Sequence, residues 1–109
     1  MENPKKSQGD KKAPLHLLPP IALEEESWVH KIGADKYGEW NWRESHVDIM
    51  TYIGATMRHL MAISKGEDID PESGRSHWAH IGANANIVLD SIHQGCLIDN
   101  RPLGQLELF

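Results

Sequence analysis

His77 and His80 stand three residues apart and Asn84 follows four later, so any helix through them carries three nitrogen or oxygen donors within a stripe of about 60°. His-x-x-His spacing serves one metal ion when a third protein ligand is close. The run just upstream, EDIDPESG, offers Glu67, Asp68, Asp70 and Glu72. The same groups also suit a polar seam in which the histidines hydrogen-bond backbone or carboxylates and hold nothing. The Asp-x-Asp-x-Glu start of that run is shared with calcium loops. However, Ser73 stands where such a loop needs glycine and Ala79 where it needs a bidentate glutamate, which excludes an EF-hand.

Two other groups have chemical potential. Glu24, Glu25 and Glu26 open a helical stretch, and Glu25 lies about 40° from Val29 and about 20° from Ile32, at the edge of the apolar face. Carboxylates from two helices hold divalent metals in bundle cores, with phosphate as the usual companion; the alternative is a solvated first turn favoured by the helix dipole. Lys36, Tyr37, Asn41 and Trp42 combine a cation, two aromatic rings and an amide, which suits a phosphate and a base, although large rings in a small protein also serve as core. Arg58, beside His59, is either a surface cation with a buried stem or an inward phosphate clamp.

These side chains need three helices to position them. Leu23, Trp28, Val29 and Ile32 recur at helical spacing over about 21–35, and Gly33 and Gly38 bracket a turn before an aromatic loop at 38–42. Val47, Met50, Ile53, Met57, Leu60 and Met61 predict a second helix over about 47–65, stopped at Lys65-Gly66. Ser73 or Ser76 caps a third that runs to about His93 and stops at Gly95. Residues 1–13 read as a mobile basic tail, and Leu17-Leu18-Pro19-Pro20 as an extended lead-in that packs against the body. The expected organisation is a tail over 1–13, a helical nucleotide-binding domain over 14–95 and a C-terminal extension over 96–109, in which the apolar stretch from Asn100 docks on the body or a partner. The fold class is all-α: a small bundle of three main helices, completed by oligomerisation because the apolar stripes leave too little core for one protomer.

Composition narrows the function further. The 109 residues carry a net charge of −5, with four lysines against two acids in residues 1–12 and seven Lys/Arg against fourteen Asp/Glu in the rest. An acidic body disfavours extended nucleic-acid binding, which depends on many cationic contacts. No apolar run approaches the roughly 20 residues of a membrane span, and the N-terminal lysines precede no apolar signal segment, so the expectation is a protein of the cytoplasm where it is made. The single cysteine, Cys96, excludes an internal disulfide and any thiolate zinc cluster.

Taken together, LLPPIALEEE, GADKYGEWNW, MRHLMAISKGEDIDPESG and HWAHIGANANIVLD resemble the phage dATP/dGTP diphosphohydrolase N-terminal domain family, relatives of the MazG-like nucleoside triphosphate pyrophosphohydrolases, over about residues 9–92. The resemblance implies an oligomeric helical protein of the host-cell cytoplasm. It would bind a purine deoxynucleoside triphosphate and, with Mg²⁺ or Mn²⁺, hydrolyse it to the monophosphate. By motif position it carries over Lys36, Tyr37, Asn41, Trp42, Arg58, His59, Glu67, Asp68, Asp70, Ser73, His77, His80 and Asn84, and by residue type we expect Lys36, Tyr37, Asn41, Trp42, Arg58, His59 and Ser73 to bind nucleotide. Metal binding is expected of Glu67, Asp68, Asp70, His77, His80 and Asn84 together with Glu25, which comes from its place on the first helix rather than from the motif, with Glu25 and Asp68 as catalytic carboxylates. One departure stands out: MazG-like enzymes carry a Glu-x-x-Asp pair on the later helix, where this chain has His77, His80 and Asn84, a poor magnesium cage, so that either the first helix and the acidic loop hold the metal, or the ion is softer than magnesium, or hydrolysis is absent. Two other readings use the same residues: a phage protein that captures purine or cyclic signalling nucleotides without hydrolysis, and a helical oligomer whose histidines are seam residues.

Overall fold

Pro19 and Pro20 decide where the first long helix starts. Proline loses no hydrogen bond at the first helical position, so the computed structural model, which describes residues 3–102, begins α2 (Pro20–Tyr37) there and ends it at Gly38, with φ 98°. Gly33 stays helical, which corrects the expected turn after it and carries the helix to Tyr37. Asp48 accepts the Thr51 amide at 3.2 Å and caps α4 (Ile49–Ser64). Ser76, rather than Ser73, caps α5 (His77–Gln94) by accepting the Trp78 amide at 3.1 Å. Gly95 closes α5 in the left-handed conformation at φ 73°, where its amide meets the Ser91 and Ile92 carbonyls.

The all-α expectation holds: three long helices dominate. Short elements join them. The stretch expected to be a mobile tail contains a six-residue helix, α1 (Pro4–Gly9), which Asn3 caps locally and which buries nothing. A 3-10 turn over Leu15–Leu17 runs into the lead-in, whose Leu17 and Leu18 are 71% and 46% exposed, so it does not pack against the body as expected. A four-residue helix, α3 (Asn41–Glu44), replaces the expected loop. A parallel pair, β1 (Val47–Asp48) beside β2 (Leu97–Ile98), is too short to show alternation in sequence. Residues 103–109, with most of the stretch expected to dock, lie outside the described residues.

Helix α5 packs against both α4 and α2. Small residues make this possible: Ala79 and Ala83 are buried, and a side chain at Gly82 would overlap the Glu26 carboxylate, which accepts a hydrogen bond from Asn86. Among the described residues the buried apolar core is Val47, Ile49, Ala79, Ala83 and Cys96, while Met57, Leu60, Met61 and Leu89 keep much of their surface exposed. Cys96 joins several segments: its carbonyl accepts the Val47 amide at 3.1 Å, and its Sγ donates to the Trp42 carbonyl at 3.4 Å.

Helix α3 is fastened to α5 by charge. The Arg43 guanidinium grips Asp90 with Nε at 2.8 Å and Nη2 at 2.7 Å, and Trp42 Nε1 donates to the same carboxylate at 2.7 Å. Arg43 first and Trp42 second hold the Asp90 carboxyl down at about 2, below its ordinary 3.8. A lowered carboxyl pKa adds stability that is complete above the unfolded value and lost as pH falls through the folded one. Replacing Asp90 with Asn should therefore lower the melting temperature at pH 7. The gap from the unsubstituted protein should close as pH falls from about 4 to about 2. A gap of equal size at pH 7 and pH 2, measured by circular dichroism, would contradict this account of the clamp.

Candidate functional site

The turn between α4 and α5 is built around Asp70. Its carbonyl accepts the Gly74 amide at 2.7 Å, its amide donates to the Arg75 carbonyl at 2.9 Å, and its Oδ1 accepts the Glu72 amide at 2.9 Å. An antiparallel bridge between Ile69 and Ser76 closes the turn, and the His77 amide donates to the Asp68 carbonyl at 3.0 Å. Asp70, Glu72 and Ser73 are thereby brought to the start of α5, facing its histidines across a cleft of about 540 Å³. His59 and Arg58 enter this cleft from α4, and Lys36 enters from α2.

At the floor, His77 is 4% exposed and both ring nitrogens are engaged, with Nδ1 2.8 Å from His59 Nδ1 and Nε2 2.8 Å from Glu67 Oε1. The network assigns the protons: the Glu67 carboxylate accepts, so His77 Nε2 carries hydrogen, and the lone pair on His77 Nδ1 accepts a hydrogen bond from His59 Nδ1–H. Ser73 Oγ accepts the Arg75 amide at 3.1 Å and shares a hydrogen bond with His80 Nε2 at 2.7 Å; Asp70 Oδ2 lies 3.7 Å from the same nitrogen. The His59 and His80 rings stack, with centroids 4.7 Å apart and an 11° tilt. Burial is the largest influence on both and lowers both pKa values; the other imidazoles push in the same direction, and Asp70 opposes them.

Donor atoms of His59, Asp70 and His77 lie within 4.8 Å of one another, within reach of a single ion. The chemistry of the set fits a divalent cation. Neutral imidazoles are ready ligands, Asp70 supplies charge, and Glu67 on the far nitrogen of His77 is the carboxylate that orients a ligating ring. Two imidazoles with one carboxylate suit Mn²⁺ or a softer ion better than Mg²⁺.

Of the residues singled out in the sequence, the structure brings together Lys36, Arg58, His59, Asp70, Ser73, His77 and His80, with Glu67 behind His77. Others lie elsewhere. Asp68 contributes its carbonyl to the start of α5 and is exposed. Glu25 lines a smaller hollow with Trp78 and sits 3.9 Å from Arg75. Asn84 donates to Thr56 at 3.3 Å in the apolar groove between α4 and α5. Tyr37, Asn41 and Trp42 line a hollow beside α3. Glu72 borders the histidine cleft although the family motif did not assign it a role, and its place in the acidic run was the available signal.

Fold and site together define a small all-α protein with an ionisable cleft between two helices and the turn that joins them. The chain belongs to the family described as dATP/dGTP diphosphohydrolase, N-terminal, whose model matches residues 2–101, a longer span than the sequence motifs alone cover. It is 34% identical over 91 residues to a dATP/dGTP diphosphohydrolase of Salmonella phage PMBT28, an alignment covering 84% of this chain and 29% of that protein. The chain thus spans less than a third of that relative's length. No solved structure matches it. Among the described residues no helix is long and apolar enough to cross a membrane.

In the metal-free protein, histidine titration followed by NMR should give midpoints below 6.5 for both His59 and His80. A midpoint above 6.5 for either ring would show that Asp70, rather than burial, dominates the cleft.

Proposed function

We propose that the chain hydrolyses purine deoxynucleoside triphosphates, dATP or dGTP, to monophosphates in a phage nucleotide-pool pathway, using a divalent cation at the histidine cleft. The observation that carries this reading is the meeting of the His59, Asp70 and His77 donors in a cleft that Lys36 and Arg58 also line. The family and the phage relative's name support it. When bound, the cation would supply charge stabilisation at the phosphates and acidify a water molecule.

The chain's own residues account for the rest of the chemistry. Lys36 and Arg58 have no ion-pair partner among the described residues, so both remain available to neutralise phosphate oxygens. Attack of water at the α-phosphorus breaks its bond to the bridging oxygen and releases diphosphate, whose growing negative charge the two cations stabilise. Glu72, whose carboxylate lines the same cleft and stands outside the donor set, can take the proton of the attacking water. Glu67, on the far nitrogen of His77, would fix the orientation of that ring toward the cation. The exposed apolar faces of α4 and α5 support the further reading that copies of the chain associate through them.

The test is to incubate the full chain with dGTP or dATP in Mn²⁺, Mg²⁺ or EDTA and to separate the products by chromatography. Monophosphate should form only with metal and faster with Mn²⁺ than with Mg²⁺. Arg58→Ala should reduce turnover on the order of a hundredfold, Asp70→Asn should abolish it, and Asn84→Ala should leave it intact. Intact nucleotide recovered from the denatured protein, with or without EDTA, would overturn hydrolysis in favour of capture. Light scattering at micromolar concentration should give a dimer or tetramer, and a monomer would remove the association reading.

A further inference from the structure

A second concavity, of about 650 Å³, lies on the other flank of α2. At about 100° per residue, the α2 residues Ser27, His30, Lys31 and Ala34 that line it point away from Ile32 and Lys36, which border the histidine cleft. The two clefts share no lining residue.

The walls of the second cleft are aromatic. The Trp40 and Trp42 ring centroids are 5.2 Å apart at 49°, and His30 lies 5.9 Å from Trp42. These rings are fixed in place: Asp90 holds Trp42 through its indole nitrogen, and Arg43, gripped by the same carboxylate, lies 4.4 Å over Trp40. Trp40 adopts φ 57° and ψ 25°, a left-handed conformation that a bulky side chain rarely takes, yet the residue remains 55% exposed. Strain is thus retained to present a ring to solvent rather than to bury it.

Charge narrows the ligand class. Three carboxylates, Asp35, Glu39 and Asp90, line the cleft against the single cation Lys31, so its walls disfavour a phosphate. Glu39, which also lines the cleft, has no ion pair or side-chain hydrogen bond among the described residues and offers a free acceptor. An aromatic wall stacks on any planar ring, and a carboxylate accepts hydrogen bonds from an edge bearing adjacent N–H groups. We propose that this cleft binds an uncharged planar heteroaromatic with N–H donors along one edge. The class is a nucleobase or nucleoside rather than a nucleotide, with its ring against Trp40 and Trp42 and its donor edge on Glu39. None of the residues given a role in hydrolysis above lines this site, and of those that the family motif places in nucleotide binding only Trp42 does, so it stands apart from the histidine cleft.

The test uses the full chain, ¹⁵N-labelled, and guanosine as probe, because its base carries N–H and NH₂ donors side by side. Each of the four tryptophans reports separately through its indole N–H resonance. Saturable shifts should appear at Trp40 and Trp42 and be absent at Trp28 and Trp78. Guanosine monophosphate should bind more weakly than guanosine. Trp40→Gly, which also relieves the positive φ, should weaken binding by about tenfold or more. Glu39→Gln, an exposed change that leaves the fold intact, should weaken it as well, and Arg58→Ala should have no effect. The proposal is overturned if no saturable shift appears up to the solubility limit, or if shifts are confined to Trp28 and Trp78. It is likewise overturned if Arg58→Ala abolishes binding, or if the Trp40 and Trp42 resonances move with protein concentration alone, which would mean that a second copy covers the rings.

Discussion

Burying an imidazole leaves two nitrogens to satisfy, and His77 is the residue at which this protein meets that demand. A buried polar atom without a partner costs about 1–3 kcal/mol. His77 therefore needs an acceptor on one side, found in Glu67 just beyond the end of α4, and a partner on the other, found in His59 on α4 itself. Satisfying this one ring draws the α4–α5 turn down over the start of α5, stacks His59 on His80 and brings Asp70 into range. The cleft is thus a by-product of hydrogen-bond accounting at its floor, and the residues that support the ring are the ones that give the cleft its chemistry.

Much of the fold was legible in the sequence because helices announce themselves through period and punctuation. The apolar spacing of α4, the serine before His77 and the glycine at 95 are local signals, and local signals survived folding. The β1–β2 pair did not announce itself, because two residues cannot establish an alternation and the partners lie fifty positions apart in the chain. The exposed Leu17 and Leu18 misled for a different reason: apolar character states a preference for burial, but it cannot say whether another surface is within reach.

The site was legible in type more than in position. A helical projection puts His77, His80 and Asn84 on one stripe but discards the rise of about 1.5 Å per residue, so Asn84 ends about 10 Å along the helix from His77 and meets Thr56 instead. Asp68 and Asp70 looked equivalent in an acidic run. The turn separates them: Asp70 is folded inward by the bonds that its own backbone makes, while Asp68 is left exposed. Trp42 was noticed, but its partners His30 and Asp90 are far away in sequence, and only the docking of α3 on α5 shows that the aromatic loop and the histidines serve opposite flanks of α2.

Cys96 lies where the end of α5, the strand pair and the Trp42 carbonyl converge, and it is 7% exposed. A thiol so enclosed reacts with an alkylating reagent only during excursions that lift this junction apart. With a single sulfhydryl in the chain, labelling has one destination and needs no mapping. The protein thereby carries its own clock for local opening: the rate at which Cys96 is capped measures how often the anchor of α3 lets go.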